Sequence, residues 1–179
     1  MRLEWPPWGY VVLATLLSLP VALFGAHLLA GRRDRRGHPR PVRTAYADVL
    51  IVAGTFPWLW MILTPGAASG VSLVPLRDLA ELANGRFGTA FVQVVGNLLV
   101  FAALGALLPL RSPHFTRLWR VALLAAALSI TVEALQYGLR LGRVSSIDDV
   151  LLNTVGAVLA SLASRPWQAG PPPVGTGPQ

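Results

Sequence analysis

The sequence predicts an all-α integral membrane protein with about five transmembrane helices and a short interfacial helix between the second and the third. Composition carries the first part of this prediction: 54% of the 179 residues are hydrophobic, 13% are charged, and the mean hydropathy is +0.56. Segment length carries the second part, because the apolar runs approach the roughly 20 residues that a helix needs to cross a hydrocarbon core about 30 Å thick.

The apolar segments are interpreted as membrane spans. The first begins among aromatic residues and is followed by an arginine-rich connection, which favours an uncleaved spanning helix over a cleaved signal peptide. Pro20 inside it predicts a kink and not a helix end. The predicted spans are residues 8–30, 46–64, 89–110, 118–137 and 147–164.

The short helix is predicted in the connection between the second and third spans. Leu76, Leu79 and Leu82 recur there at helical spacing. Pro75 stands before them, where its fixed φ angle suits a first helical turn. A leucine face on so short a helix fits the plane of the membrane surface better than a span.

Residues 1–164 are interpreted as one membrane domain, and the proline- and glycine-rich residues 165–179 as a disordered cytoplasmic tail. All 15 basic residues are arginine, and ten of them fall on one side of the predicted spans. The positive-inside rule places that side, with the C-terminus, in the cytoplasm and the N-terminus outside. The net charge of +7 therefore lies in loops, as orientation signals do, and no nucleic acid partner is predicted.

Two residue types exclude some chemistry. The chain has no cysteine, which rules out disulfides, thiolate metal sites and cysteine nucleophiles. The three histidines, His27, His38 and His114, share neither a span nor a helical face at ligand spacing. No metal site and no cofactor are predicted.

Polar side chains recur in the outer halves of the last three predicted spans. They come in pairs three or four residues apart, so that the members of each pair share one helical face. A rise of 1.5 Å per residue puts Glu133, Asn153 and Gln93 roughly 7 Å from the outer end of their spans and Asn97 roughly 13 Å from it. The pairs are Gln93 with Asn97, Glu133 with Gln136, and Asp149 with Asn153.

A stripe of small residues continues the polar face of the last span through Gly156, Ala160 and Ser164. Such a stripe lets the backbone of a neighbouring helix approach closely, so Asp149 and Asn153 are expected to point into a helix contact and not into lipid. Arg140 and Arg143 stand in the short outer connection. From there a guanidinium can reach a carboxylate or a phosphate with two hydrogen bonds.

Between residues 73 and 160 these features resemble the VanZ-like membrane protein family. The first block is an Asn followed four residues later by Phe and then by Pro-x-Gly, the second is Glu-x-x-Gln, and the third is Gly-Arg, a short gap, and Asp-x-x-x-Asn-Thr-x-Gly. The matching residues are Asn97, Phe101 and Gly105, then Glu133 and Gln136, then Gly142, Arg143, Asp149, Asn153, Thr154 and Gly156.

The chain departs from the family pattern at three points. Ala103 replaces the proline of the first block, and Ser146 stands where an acidic residue is common in the third. The family also has an Asn-x-x-Pro turn upstream, and the matching segment from Ser72 to Pro75 keeps the proline but has serine in place of Asn. The missing proline is expected to alter only a kink, whereas Ser146 removes a carboxylate that a three-carboxylate scheme in that loop would need.

The resemblance implies a multi-pass protein of the bacterial cell membrane, associated with resistance to the glycopeptide teicoplanin. The favoured hypothesis is a non-catalytic protein whose outer polar site binds an envelope lipid or a lipophilic ligand, with glycopeptide as a further partner. Arg143 would recognise a charged group in the ligand. The predicted ligand-binding residues are Asn97, Glu133, Gln136, Arg143, Asp149 and Asn153.

Alternative interpretations of the same residues remain open. The amides can simply join helices by hydrogen bonds, and Glu133 can form a structural salt bridge with Arg143 or stay protonated. An enzyme acting on a lipid-linked envelope substrate would use Glu133 and Asp149 as acid and base or as Mg²⁺ ligands. The sequence favours this less, because it has no nucleophile elbow, zinc signature or phosphate-binding glycine loop. A small transporter or flippase is the third hypothesis, for which a homo-oligomer would supply the missing symmetry.

Overall fold

The structure, a computed structural model, describes residues 7–66, 70–83 and 87–168, and it is mostly helical. Within these residues two strands of three residues each accompany the helices. The helices are α1 (Pro7–Arg35), α2 (Pro41–Leu63), α3 (Arg77–Ala83), α4 (Phe87–Val100), α5 (Ala102–Arg111), α6 (Leu118–Gly138), α7 (Ile147–Ala163) and α8 (Arg165–Gln168), and the strands are β1 (Gly70–Ser72) and β2 (Val144–Ser146).

Several helices in the described part of the chain are long and apolar enough to cross a membrane. There are four of them, at Gly9–Arg35, Pro41–Leu63, Phe91–Arg111 and Leu118–Gly138. The prediction of a helical membrane protein is thereby confirmed. Helix α7 is shorter, with 17 residues, so the fifth span stays a prediction, as does the interfacial position of α3.

The third predicted span is not one regular helix. It divides at Phe101, whose φ of −112° and ψ of 15° separate α4 from α5. Phe101 is the N-cap of α5, and its carbonyl accepts from the Gly105 amide at 2.8 Å. Phe101 itself is 2% exposed, so the break lies in the core and not at a surface.

Two glycines bring α7 against the backbones of both halves. A Cβ atom at Gly156 would lie 2.0 Å from the carbonyl oxygen of Leu98 in α4. A Cβ atom at Gly105 in α5 would lie 2.0 Å from the carbonyl oxygen of Ala157. Both distances are far inside a van der Waals contact, so neither position admits any other residue without a backbone shift.

The core surrounds this contact. Its fully buried members come from α4, α6 and α7 and from the break at Phe101, while α1 packs mainly along α2 at the side of the bundle. Small side chains in α6 let it lie close to α7. The core cluster consists of Val100, Phe101, Val121, Ala125, Val132 and Ala157.

The strands depart from the all-α prediction. β1 and β2 pair in parallel, with Gly70 opposite Val144 and Ser72 opposite Ser146. Three residues are too few to produce a period-2 pattern in the sequence, and the pairing joins segments more than 70 residues apart. It fastens the connection that precedes α3 to the start of α7.

The structure near the two ends of the chain agrees only in part with the predicted helix limits. Helix α1 runs through Pro20 to Arg35, beyond the predicted span. At the other end, α8 gives the segment after residue 164 one helical turn. The remainder of the predicted disordered tail, residues 169–179, lies outside the described residues, as do Arg2 and Arg86 from the arginine count.

Replacing Gly105 or Gly156 with alanine is expected to lower the free energy of unfolding by about 1–3 kcal/mol. The added methyl group overpacks the α5–α7 contact at Gly105 and the α4–α7 contact at Gly156. Thermal unfolding of the purified protein in detergent measures the effect.

Gly96→Ala in α4 is the matched control. Nothing lies within 4 Å of a Cβ atom at this position, so alanine is expected to be neutral or to stabilise by up to about 1 kcal/mol through helix propensity. Equal effects of Gly96→Ala and Gly156→Ala would contradict the close helix approach.

Candidate functional site

The candidate site lies where α6 ends and α7 begins, beside the β1–β2 pair and α3. The structure brings several of the predicted polar residues together here. Asn97 of α4 donates from its Nδ2 atom to Oδ1 of Asp149 in α7, at 2.5 Å. This bond joins two of the helices whose polar faces the sequence pattern indicated.

Glu133 lies in the last turns of α6 and faces the loop before α7. Its Oε2 atom accepts a hydrogen bond from the Ser146 amide at 3.0 Å, and its backbone carbonyl accepts one from the Ser145 hydroxyl at 3.1 Å. The side chain is half-buried. The Ser145 hydroxyl also lies within reach of the carboxylate.

A cavity opens beside Glu133. Its volume is about 380 Å³. One polar side of the cavity is formed by the carboxylate and the Ser145 hydroxyl, and the rest of the lining is apolar or aromatic. The lining residues are Val71, Ile130, Glu133, Ala134, Tyr137 and Ser145.

Arg143 has a different partner from the one predicted. Its Nε and Nη2 atoms donate to the carbonyls of Thr64 at 3.0 Å and Met61 at 2.9 Å, at the end of α2. In the described part of the chain no ion pair joins Arg143 to Glu133, so the salt-bridge alternative is not supported. The physical reason is that the last carbonyls of a helix have no partner within it and accept readily from a guanidinium.

The environment of Arg143 is nevertheless acidic. Partial burial lowers the pKa of the guanidinium, and the charges of Asp149 and Glu133 oppose that shift. Arg143 therefore supplies positive charge near the carboxylates while its hydrogen bonds hold α2.

Two predicted ligand-binding residues point elsewhere. Gln136 is 5% exposed and donates from Nε2 to the Ile62 carbonyl at 2.8 Å. Asn153 is 2% exposed and donates from Nδ2 to the Ser129 hydroxyl of α6 at 2.7 Å. Both amides join helices and neither faces the cavity, which agrees with the structural interpretation left open above.

Asp148 has a role that the sequence did not reveal. It is 1% exposed, and its carboxylate accepts from the backbone amides of Leu76 at 2.6 Å, Asp78 at 3.0 Å and Leu79 at 3.2 Å. It thus caps the start of α3, whereas its own helix is capped by Ser146, whose hydroxyl accepts from the Asp148 amide at 3.1 Å.

Asp78 also belongs to the site, although only its place in α3 was visible in the sequence. Its Oδ1 atom accepts from the Ser72 hydroxyl at 2.8 Å, and its Oδ2 atom accepts from the Ser146 hydroxyl. Ser146, the position where the family commonly has an acidic residue, therefore stands directly beside a carboxylate supplied by α3. An acidic residue there would face Asp78 with like charge.

The carboxylates of Asp78, Glu133 and Asp149 lie in one region, yet each is held by hydroxyl or amide donors. Within the described ranges no group of three or more His, Cys, Asp or Glu side chains is placed to hold a metal ion. The Ser145 hydroxyl donates to the Glu133 backbone carbonyl.

Four candidate spans and a polar site at one end of the helices define the chain as a multi-pass membrane protein. It belongs to the family described as VanZ/LLP1, which matches residues 46–167. The match confirms the resemblance and extends it to α2 and to most of α8. Neither a curated protein nor a solved structure shows a significant match.

Asp148→Ala is expected to free the start of α3, because it removes the acceptor of three backbone amides. Loss of a partner costs a buried donor about 1–3 kcal/mol, and water can replace part of it. Hydrogen exchange should show faster exchange of the amides of Leu76, Asp78 and Leu79.

Asp34→Ala is the control, since Asp34 is exposed and far from α3. Unchanged exchange at the three amides in Asp148→Ala would contradict the capping assignment.

Arg143→Ala is expected to destabilise the protein by about 1–3 kcal/mol, since hydrogen bonds from a charged donor to two helix carbonyls are lost. Thermal unfolding in detergent measures this change. Arg140→Ala, an exposed arginine of the same connection whose side chain has no hydrogen bond in the described chain, should leave the unfolding temperature nearly unchanged. A larger effect at Arg140 than at Arg143 would contradict the role given to Arg143.

Proposed function

We propose that this protein binds an envelope lipid or a lipophilic ligand at the site around Glu133, in the outer leaflet, and so modulates susceptibility to glycopeptides such as teicoplanin. Membership of the VanZ/LLP1 family supports a cell-membrane role. The arginine distribution supports an orientation with the N-terminus outside and the C-terminus in the cytoplasm.

The cavity beside Glu133 is the observation that carries the proposal. Its lining combines a carboxylate and a hydroxyl with the apolar side chains of Val71, Ile130 and Ala134. Such a lining fits an amphiphile, whose polar group would meet Glu133 and Ser145 while its apolar part follows α6. The Glu133 carboxylate, which receives one backbone amide from Ser146 and lines the cavity, is the acceptor proposed for the ligand.

The other predicted site residues take positioning roles in this proposal. Asn97 holds Asp149, and Arg143 holds the end of α2. Gln136 joins α6 to α2, and Asn153 joins α7 to α6. The contact between ligand and protein is therefore assigned to Glu133 and Ser145, with the charge of Arg143 nearby.

The depth of Glu133 agrees with a ligand that arrives from the membrane. The residue lies five positions before the end of α6 at Gly138, which corresponds to roughly 7 Å along the helix. Tyr137, a residue type common at membrane interfaces, is exposed between Glu133 and that end.

Glu133→Gln is expected to abolish the effect of the protein on teicoplanin susceptibility, because the amide presents a donor where the ligand meets an acceptor. The test expresses native and variant proteins at matched membrane levels in a sensitive Gram-positive host and measures the minimal inhibitory concentration. The native protein should raise it, and Glu133→Gln should return it to the value of the host with empty vector.

Asp34→Asn is the matched control, because it removes a carboxylate at the opposite end of the bundle. It should behave like the native protein, and Glu133→Gln should unfold at the native temperature. Resistance that persists in Glu133→Gln would contradict the proposed site. Retained binding of a lipid-linked substrate with loss of its turnover in that variant would favour the enzyme alternative, and loss of lipid flux would favour a transporter.

A further inference from the structure

The end of the bundle opposite Glu133 is strongly basic. It consists of the end of α1, the start of α2, the end of α5, the start of α6, the connections between these helices, and α8, and it is called the arginine end below. It carries ten of the 15 arginines but only two carboxylates, Asp34 and Asp48. The arginines are Arg32, Arg33, Arg35, Arg36, Arg40, Arg43, Arg111, Arg117, Arg120 and Arg165.

One carboxylate serves two of these arginines. Asp48 of α2 accepts from Nη2 of Arg33 in α1 at 2.6 Å and from Nε of Arg111 in α5 at 2.7 Å. The Arg33 side chain is 18% exposed and that of Arg111 is 42% exposed. Asp48 thereby ties α1, α2 and α5 together and neutralises part of the charge of Arg33 and Arg111.

The other arginines have no carboxylate partner among the residues that the structure describes. Arg43 donates to the Gln168 carbonyl at 3.3 Å, and Arg120 to His114 at 2.9 Å. The rest are exposed, and within residues 7–66, 70–83 and 87–168 their side chains form no hydrogen bond: Arg32, Arg35, Arg36, Arg40, Arg117 and Arg165. So many unneutralised like charges repel one another unless an anionic surface faces them.

Aromatic side chains place the arginine end at the level of lipid headgroups. Trp119 and Trp167 are 55% and 68% exposed, and exposed tryptophans gather at the membrane interface. The Arg120 guanidinium lies 5.1 Å from the centre of the Trp119 ring. The basic groups thus stand beside interfacial anchors, where phosphates of lipids are the nearest anions.

We propose that the arginine end binds the phosphate headgroups of anionic phospholipids, and that Asp48 weakens this binding by occupying Arg33 and Arg111. Guanidinium groups bind phosphate with paired hydrogen bonds, and a basic surface next to membrane-crossing helices attracts anionic lipid. The proposal is independent of the site at Glu133, which lies near the opposite end of α6.

The test is the thermal unfolding of the full chain in neutral detergent with increasing phosphatidylglycerol, and with phosphatidylcholine as the uncharged comparison. Phosphatidylglycerol is expected to raise the unfolding temperature and phosphatidylcholine is not. Arg117→Gln should weaken the apparent affinity for phosphatidylglycerol about fivefold. The double variant Arg35→Gln, Arg36→Gln should weaken it more, by about fivefold for each arginine removed. Arg140→Gln, at the other end, should leave it unchanged.

Asp48→Asn separates this proposal from a general charge effect. The variant is expected to unfold at a lower temperature in phosphatidylcholine, because it loses both ion pairs, yet to bind phosphatidylglycerol more tightly than the native protein, because Arg33 and Arg111 are released. Equal loss of affinity in Arg117→Gln and Arg140→Gln would overturn the proposal. An affinity of Asp48→Asn for phosphatidylglycerol that is unchanged or weaker would also overturn it. The same would hold if glycerol phosphate stabilised the protein as much as phosphatidylglycerol at equal concentration.

Discussion

The close approach of α7 to the backbones of α4 and α5 is the constraint from which the rest of this structure follows. Gly156 and Gly105 bring the helices so near that α7 has no freedom to rotate or slide between them. Once α7 is fixed, the residues of its first two turns reach three different elements. Asp148 meets the start of α3, Asp149 meets Asn97 of α4, and Asn153 meets Ser129 of α6.

The acidic residues near this end of the bundle differ in how far their oxygens are satisfied. Asp148 accepts three backbone amides, and both oxygens of Asp78 accept serine hydroxyls. Unlike Asp78 and Asp148, Glu133 lines a cavity, and its carboxylate accepts one backbone amide, from Ser146. The acidic residues at this end of the bundle thus separate into those that hold neighbouring segments and one that faces a cavity.

The sequence predicted the features that depend on local composition and periodicity. The limits of α2 and α6 lie within a few residues of the predicted spans, and the polar face of α4 does meet that of α7 through Asn97 and Asp149. The partners of Arg143 and Asp148 were not predictable in the same way. Their contacts with α2 and α3 join segments about 70–80 residues apart through backbone groups, and backbone acceptors and donors leave no signature in side-chain patterns.

The position of Glu133 along α6 limits how a ligand can reach it. Arg120 and Glu133 are 13 residues apart on this helix, which separates them by roughly 20 Å along its axis. If the arginine lies at one boundary of a hydrocarbon core about 30 Å thick, the carboxylate lies some 10 Å short of the other. Ile130 and Ala134, which line the cavity on the same stretch of α6, are apolar. Under the proposed function, a molecule that enters beside them would stay in contact with lipid until its polar group meets Glu133, and this route would favour an amphiphile held in the membrane over a water-soluble ligand.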